Sequence, residues 1–307
     1  MDRVLNLRQV CSEIRTMKKI IFTKGVQYMI ISTACFTVMQ SLIKYMPVDR
    51  IPTIEQTFFR SFVSWFFCFF YMLYYKITFK TVNLKLIALR SVLGTISMFS
   101  FFYILPRMPM GSSVALKYLS PIFTAVFAVL LLNEKLKIQQ WLFFFISFVG
   151  VVLLKGFDPR ITLFDFGLGI LSAASGGILY ILIRKIGDDD DPSVVVHYFM
   201  LFASIIAGIF MIPHWVTPDF KDWFVFLGVG LSGFVAQIYM TKAFQEKDDV
   251  NYLAIFKYLE AIYAIIIGYL CFGETYSFLS FFGIILIFVG LILTIRLKSV
   301  KEPDVDI

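Results

Sequence analysis

Long apolar runs follow one another along almost the whole chain, and this feature limits the possible folds more than any other. Each run is bounded by charged residues, Pro or Gly, and the ten runs lie at about 26–46, 54–75, 86–105, 111–132, 138–155, 163–183, 193–213, 222–243, 250–272 and 277–296. A helix that crosses a bilayer needs roughly 20 apolar residues. The runs are continuous rather than alternating, which excludes a transmembrane β-barrel. We therefore predict an all-α membrane protein with ten transmembrane helices.

Composition and cysteine usage exclude several other classes of protein. Of the 307 residues, 59% are hydrophobic and 16% are charged, whereas a soluble domain carries about 25% charged residues. The net charge of +7 does not indicate nucleic-acid binding, because the sequence has no polar domain to carry a basic face. The four cysteines are scattered without a CxxC motif or a Cys/His cluster, at Cys11, Cys35, Cys68 and Cys271. We therefore expect no disulfide framework, no metal site and no cofactor.

The distribution of lysine and arginine predicts the orientation in the membrane. With ten spans, eighteen of these residues lie on the side of the N-terminus and five on the opposite side, while the other five fall within or at the ends of spans. Positively charged loops stay in the cytoplasm, so we predict a multi-pass protein of the inner (cytoplasmic) membrane with both termini in the cytoplasm. The basic segment 1–24 has no small-residue cleavage site, so we expect no cleaved signal peptide. The acidic run Asp188–Asp191 is predicted to be solvated, disordered charge.

An internal repeat divides the chain into two halves. A shift of 140 positions aligns the fourth and fifth runs with the ninth and tenth without a gap, and residues 111–154 then share 10 identities with residues 251–294. The aligned pairs include Lys117 with Lys257, Glu134 with Glu274 and Gly150 with Gly290. Each half holds five spans, an odd number, so the second half is inverted relative to the first. Inverted repeats around a central site are typical of secondary transporters.

Several short segments resemble those of one known family. They are TFFRSF with Arg60, LRSVLGTISMFSFFYILPRMPMGSSVALKYLSP with Arg90 and Pro121, LNEKL with Glu134, FVGVVLL, LYILIRKI, KYLEAIYAIIIGYLCFGE and FVGLILT. In this order and in two copies, over about residues 25–297, they resemble the ten-span EamA-type carriers of the drug/metabolite transporter superfamily. The resemblance implies alternating-access transport of a small metabolite, with spans 1–4 and 6–9 around a cavity and spans 5 and 10 as supports. The Arg90 pattern and LYILIRKI are also similar to the branch that contains S-adenosylmethionine uptake carriers.

The predicted organisation has four parts, which are a basic cytoplasmic N-terminal segment (1–24), a first EamA repeat (25–155), a second EamA repeat (163–297) and a cytoplasmic tail (298–307). The predicted function is secondary transport of an amino-acid-like, nucleobase-like or amphipathic organic solute. An intramembrane enzyme or a membrane scaffold protein is the alternative, but the sequence has no HExxH motif, paired histidines or Gly-rich phosphate loop. The expected partners are the solute and the lipid bilayer, and not nucleic acid. The sequence leaves open proton coupling and the choice between a monomer and a homodimer.

Ionisable side chains inside the spans are candidates for the transport site, because each one costs about 2.5–3.5 kcal/mol at a helix centre. Lys257 and Glu260 are three residues apart on one helical face, so they can pair. The pair either lowers only the cost of insertion or makes Glu260 a proton carrier or cation ligand that Lys257 controls. Lys117, the repeat partner of Lys257, either extends to its own interface or faces a shared cavity with Lys257 as an anion site.

Two arginines and a histidine extend this set. Arg60 follows Glu55 by slightly more than one helical turn, and it either neutralises a carboxylate or binds substrate. Arg90 lies nearer the cytoplasmic end of its span, and we predict that it anchors the topology. His197 corresponds roughly to Arg60 in the other half, and it either titrates near neutral pH or is a hydrogen-bonded structural residue.

Uncharged and helix-end residues complete the candidate site. The uncharged side chains predicted to line the transport path are Gln40, Tyr103, Tyr118, Ser175, Tyr180, Gln237, Tyr239 and Tyr258. Pro121 lies in the middle of its span, where the missing backbone hydrogen bond permits a hinge. Glu134 and Glu274 end the fourth and ninth spans at opposite faces of the membrane, and we predict that they cap helices or form gate contacts.

Overall fold

A computed structural model describes residues 24–46, 50–117, 119–120, 122–124, 126–127, 138–157, 160–246 and 259–298. These ranges contain ten α-helices and no β-strand. We number them in chain order as α1 (Lys24–Tyr45), α2 (Thr53–Tyr74), α3 (Leu84–Ile104), α4 (Met110–Lys117), α5 (Ile138–Phe157), α6 (Leu163–Ile186), α7 (Pro192–Met211), α8 (Phe220–Gln245), α9 (Leu259–Phe272) and α10 (Phe278–Lys298). The helices match the ten predicted spans in order, although α4 and α9 cover only parts of theirs.

The length and surface of the helices are those of a membrane protein. Within the described ranges, six helices are long and apolar enough to cross a membrane, namely α1, α2, α3, α6, α7 and α8. Shorter apolar segments lie at Ile262–Phe272 in α9 and at Phe281–Gly290 in α10. The outer side of α2 carries exposed aromatic rings, which include Phe66, Phe70 and Tyr74. Such residues are favourable against lipid and its headgroup boundary. The predicted all-α membrane fold is therefore confirmed.

Side-chain caps explain where two of the helices begin. The Thr162 hydroxyl accepts a hydrogen bond from the Asp165 backbone N–H at 3.0 Å and starts α6. The Asp191 carboxylate accepts one from the Ser193 backbone N–H at 2.8 Å and starts α7, with Pro192 at the first helical position. These caps satisfy backbone donors that have no partner inside the helix, and proline there loses no hydrogen bond.

Part of the acidic run 188–191 is not the solvated, disordered charge that its composition predicts. Asp190 is buried, and its carboxylate accepts hydrogen bonds from the Val82 backbone N–H and the Thr81 hydroxyl, both at 3.0 Å. Asp191 is exposed and caps α7, as described above. The prediction of solvation is therefore wrong for Asp190, and that of disorder is wrong for both residues, because acidic side chains beside a helix start can satisfy backbone and hydroxyl donors in the same and neighbouring loops.

The contacts between helices follow an approximate two-fold symmetry. When α1–α5 are exchanged in order with α6–α10, the contact of α1 with α8 maps onto that of α6 with α3. In the same way, α2 with α8 maps onto α7 with α3, and α1 with α9 maps onto α6 with α4. The contacts of α2 with α7, α4 with α9 and α5 with α10 map onto themselves. Two inverted five-helix repeats produce this pattern, so the predicted inverted repeat is confirmed.

Helices α5 and α10 cross so closely that the contact requires glycine in both. A Cβ atom at Gly150 would lie 2.6 Å from the backbone oxygen of Gly283, and one at Gly290 would lie 2.5 Å from the backbone oxygen of Phe143. The shift of 140 positions that relates Gly150 to Gly290 also relates Phe143 to Gly283. The two contacts are therefore equivalent, and the halves are joined here by one reciprocal crossing.

Alanine at either glycine of this crossing is expected to destabilise the protein. The added Cβ meets backbone atoms, which cannot turn away, and overpacking of this kind costs about 1–3 kcal/mol. Thermal unfolding in detergent should show lower midpoints for Gly150→Ala and Gly290→Ala. Gly167→Ala in α6 is the matched control, because no atom of the described residues lies within 4 Å of a Cβ at that position and alanine favours a helix by up to about 1 kcal/mol. Native midpoints for the first two variants would contradict the close crossing.

Candidate functional site

A cavity lies between the two halves and holds about 610 Å³ of space free of protein atoms, part of it open at the mouth. Its polar lining comprises Arg60, Arg90, Ser97, Lys117, Tyr180 and Gln237. Its apolar lining comprises Phe36, Met39, Met98, Phe101, Phe102, Leu179, Phe199 and Met240. The lining within the described residues comes from α1–α4 and α6–α8, and neither α5 nor α10 contributes to it. This arrangement agrees with the supporting role that the resemblance implies for spans 5 and 10.

An ion pair connects the two halves beside this cavity. The Lys117 ammonium of α4 lies 3.1 Å from the carboxylate of Glu260 in α9, and the Gln40 amide nitrogen of α1 donates to the same oxygen at 2.5 Å. Glu260 is fully buried, and the Lys117 ammonium also lies 4.5 Å from the centroid of the Phe101 ring. A buried carboxylate needs such partners in a membrane. Lys117 is therefore held inside the protein, and the alternative in which it extends to the interface is wrong.

Five of the predicted site residues lie outside the described residues, and the predictions for them stay predictions. They are Tyr118, Pro121, Glu134, Lys257 and Tyr258. Among the described residues, Glu260 has hydrogen-bond partners in α1 and α4. The spacing in the sequence predicts Lys257 as its partner, and that pair lies outside the described residues.

Two arginines of the first half, Arg60 on α2 and Arg90 on α3, are buried and reach the cavity. In the described part of the chain, Arg60 forms no ion pair with Glu55, whose carboxylate accepts a hydrogen bond from the Val216 backbone N–H at 3.1 Å instead. The structure thus gives no support to charge neutralisation by Arg60. The prediction that Arg90 anchors the topology is wrong, because α3 turns this residue inward, with its guanidinium carbon 4.0 Å from the centroid of the Phe199 ring.

Two further predicted residues lie at the cavity wall and one does not. Tyr180 and Gln237 both line the cavity, and the Tyr180 ring packs against Phe244 with centroids 5.3 Å apart. His197 is buried among aromatic rings between α7 and the first half, with the Phe79 ring at 5.1 Å. The structure therefore leaves His197 out of the cavity lining, although both corresponding spans contribute to the site.

Sequence reasoning missed the aromatic walls of the cavity. Phe102 and Phe199 lie against the two arginines, but nothing in the sequence distinguishes them among 36 phenylalanines. The two rings reach the arginines because α3 packs against α7. Gln40, by contrast, is among the residues predicted for the transport path, and its amide donates to Glu260 beside the cavity.

Glu274 caps a helix of the opposite half. Its two carboxylate oxygens accept hydrogen bonds from the Met110 backbone N–H at 3.0 and 2.9 Å, at the start of α4. The Lys44 ammonium lies 2.6 Å from the same carboxylate, and the Tyr276 hydroxyl donates to it at 2.9 Å. Burial, and then the negative charge of Glu274, raises the pKa of Tyr276, so the hydroxyl keeps its proton. This cluster ties the two halves together at the end of the bundle where α1 ends and α4 begins.

Comparison with known proteins shows what this arrangement is similar to. Residues 23–155 and 165–296 each match the EamA-like transporter family. The pseudopaline exporter CntI of Pseudomonas aeruginosa (strain UCBPP-PA14) is 24% identical over 277 residues, which cover 90% of this chain and 97% of the exporter. The S-adenosylmethionine uptake transporter of Rickettsia prowazekii (strain Madrid E) is 26% identical over 259 residues, which cover 82% of this chain and 86% of that transporter.

A solved crystal structure has the same fold, with a TM-score of 0.66 and 14% identity over 91% of this chain and 99% of its own. The two segments that match the family coincide with the two halves that the approximate two-fold symmetry relates. Both relatives carry the names of transporters and not of enzymes. The chain therefore belongs to the EamA-like transporter family and is a small-molecule membrane transporter.

Proposed function

We propose that this transporter is a secondary carrier that moves a small organic solute through its central cavity by alternating access. The observation that carries the proposal is the cavity itself, whose wall is built by side chains from both inverted halves. Halves of this kind can rock about a central site and expose it to each side in turn. We take segments 25–155 and 163–297 as the two halves, and segments 1–24 and 298–307 as cytoplasmic extensions.

The lining of the cavity favours a small amphipathic solute. A mostly apolar wall with a few polar side chains is typical of small-ligand sites. The two relatives are named for transport of pseudopaline and of S-adenosylmethionine. Since arginines and aromatic rings share the wall, we favour an amino-acid-like or amphipathic organic solute over a nucleobase. One chain supplies the lining, so a monomer suffices as the functional unit, and a homodimer would hold two such cavities.

Ion pairs of two kinds hold the halves together at the end of the bundle where α1 ends. The Lys44–Glu274 pair is buried, with side chains 11% and 8% exposed, whereas the side chains of the Arg50–Asp219 pair are 45% and 71% exposed. Exposed ion pairs contribute only about 0–1 kcal/mol each, so an opening toward this end would break the Arg50–Asp219 pair at small cost. The Lys44 and Glu274 charges would have to gain water in exchange for each other, as in a carrier that exchanges between two states.

Glu260 is our candidate for proton coupling. Its carboxylate accepts hydrogen bonds from both Lys117 and Gln40, so it links α9 to α4 and α1. Addition of a proton removes the negative charge that holds Lys117 and weakens this link. Because Lys117 also lines the cavity, proton binding and solute binding would act on the same contact between the halves.

Ligand stabilisation followed by vesicle uptake tests the carrier proposal. The purified protein is screened by thermal shift against amino acids, nucleobases, nucleosides, S-adenosylmethionine, sugars and organic anions. A ligand at about 100 times its Kd should stabilise the protein by about 2.7 kcal/mol. We expect at least one stabilising solute to enter vesicles that contain the protein faster than it enters protein-free vesicles. If no stabilising solute crosses, the carrier proposal fails.

Glu260→Gln should separate coupling from transport. Glutamine keeps the size of the side chain, but it carries no charge that a proton can neutralise. An imposed pH gradient should change the uptake rate several-fold in native vesicles and leave the rate in Glu260→Gln vesicles unchanged, while solute exchange continues. Glu246→Gln is the matched control, because Glu246 follows the end of α8 and does not line the cavity. This variant should respond to the gradient as the native protein does. A native gradient response in Glu260→Gln would place the coupling elsewhere.

We also propose that the carrier lies in the cytoplasmic membrane with both termini in the cytoplasm. Ten spans place the termini on one side, and the excess of lysine and arginine there favours the cytoplasm. A C-terminal fusion to a green fluorescent protein should therefore fluoresce, whereas a C-terminal alkaline phosphatase, which needs an oxidising compartment, should be inactive. An active phosphatase fusion would reverse the proposed orientation.

A further inference from the structure

Arg60 and Arg90 place two buried positive charges in the cavity without a carboxylate partner among the described residues. Neither belongs to any of the ion pairs formed there. Nη1 of Arg60 points at the sulfur atoms of Met98 and Met200, which are weak acceptors, and its Nε has no acceptor among the described residues. Nε and Nη1 of Arg90 likewise have none in the described part of the chain. Several buried N–H donors of both side chains therefore lack an acceptor there.

Aromatic rings compensate these charges only in part. The guanidinium carbon of Arg90 lies 4.0 Å from the centroid of the Phe199 ring, and that of Arg60 lies 5.9 Å from the same centroid. The Phe102 ring lies 5.4 Å from Arg60. A cation is attracted to an aromatic face, but the face does not accept directed N–H bonds as an anion does. Both arginines therefore lie against the Phe199 ring and line the same cavity.

The charge of the cavity wall is not balanced within the described residues. Its charged members are Arg60, Arg90 and Lys117, and only the Lys117 charge is matched, by Glu260 at 3.1 Å. Two positive charges therefore remain. Buried charges in a membrane are costly unless an opposite charge lies close. An anionic group beside the two arginines would remove this cost.

The rest of the wall restricts the anion further. Met98, Phe101, Leu179 and Met240 are apolar, so an anion without an apolar body would leave them without a matching surface. The buried side-chain oxygen of Gln237 accepts no hydrogen bond from the described residues, and it can accept one from an amine or amide of the solute. The chemistry of the wall therefore matches an organic carboxylate with an apolar body and an N–H group.

We propose that Arg60 and Arg90 together bind the carboxylate of the transported solute, which is an apolar, amino-acid-like carboxylate. A planar guanidinium group binds a carboxylate through two parallel N–H···O hydrogen bonds. Lys117 is engaged with Glu260 and is not required for this contact. The proposal rests on the carrier function given above and adds the substrate class.

Matched acids and amides test the site on the purified full-length chain. The probes are L-phenylalanine and 3-phenylpropionate, together with L-phenylalaninamide and 3-phenylpropanamide, titrated in thermal-shift measurements. The carboxylates should stabilise the native protein and the amides should not. Arg60→Met and Arg90→Met should each weaken the apparent affinity by about tenfold or more, because each removes charge-assisted hydrogen bonds. Arg60→Lys, which keeps the charge but not the planar fork, should lose less.

Arg107→Met is the matched control. Arg107 lies over the ring of Tyr103, with its guanidinium carbon 3.7 Å from the centroid, and it does not line the cavity. This variant should bind the carboxylates with native affinity. A variant that binds the carboxylates more weakly but keeps the native unfolding midpoint has a binding defect and not a folding defect. Arg60→Lys serves this comparison because it preserves a buried cation.

Three binding results would overturn the carboxylate site. They are equal stabilisation of the native protein by acids and amides, no stabilisation by either acid, and native carboxylate affinity in both methionine variants. Uptake of an amide as fast as that of its acid, each corrected for entry into protein-free vesicles, would also reject the site but leave the carrier proposal standing. Failure of every stabilising solute to cross would instead reject the carrier proposal.

Discussion

The cost of burying charge in a bilayer governs this structure. Each ionised group inside a span needs an opposite charge, a hydrogen-bond partner or access to water. In the described residues, several of these needs are met across the boundary between the halves. Lys117 and Glu260 join α4 to α9, and Glu274 joins Lys44 to the start of α4. Pairing of charges and assembly of the two repeats are therefore one process, because neither half could bury these groups alone.

Symmetry relates the helices of the two halves but not all of their side chains. The crossing of α5 and α10 is reciprocal, with Gly150 and Gly290 in equivalent places. By contrast, the position equivalent to Glu260 is Ser120, 140 residues earlier, and its hydroxyl donates to the Lys117 backbone oxygen at 2.6 Å. The acid that holds Lys117 thus has no acidic counterpart in the first half. A common backbone plan with unequal side chains gives the two halves different tasks.

The fold can be predicted from the sequence to a large extent, because apolar runs and the repeat depend on local composition and spacing. The contact of Glu260 with Lys117 cannot, because it depends on how α4 packs against α9. The inward position of Arg90 escapes prediction because the position along a span gives depth and not the direction of the side chain. Asp190 is a similar case, in which a neighbouring loop decides whether a charge is buried.

Charge in the cavity wall is one-sided. The charged lining residues in the described part of the chain, Arg60, Arg90 and Lys117, all belong to the first half, while the second half contributes neutral side chains such as Tyr180 and Phe199. A solute anchored by its carboxylate would therefore travel with the first half as the protein rocks, and the neutral wall would slide along its apolar body. Access could then pass from one side of the membrane to the other without breaking the carboxylate contact until the solute leaves.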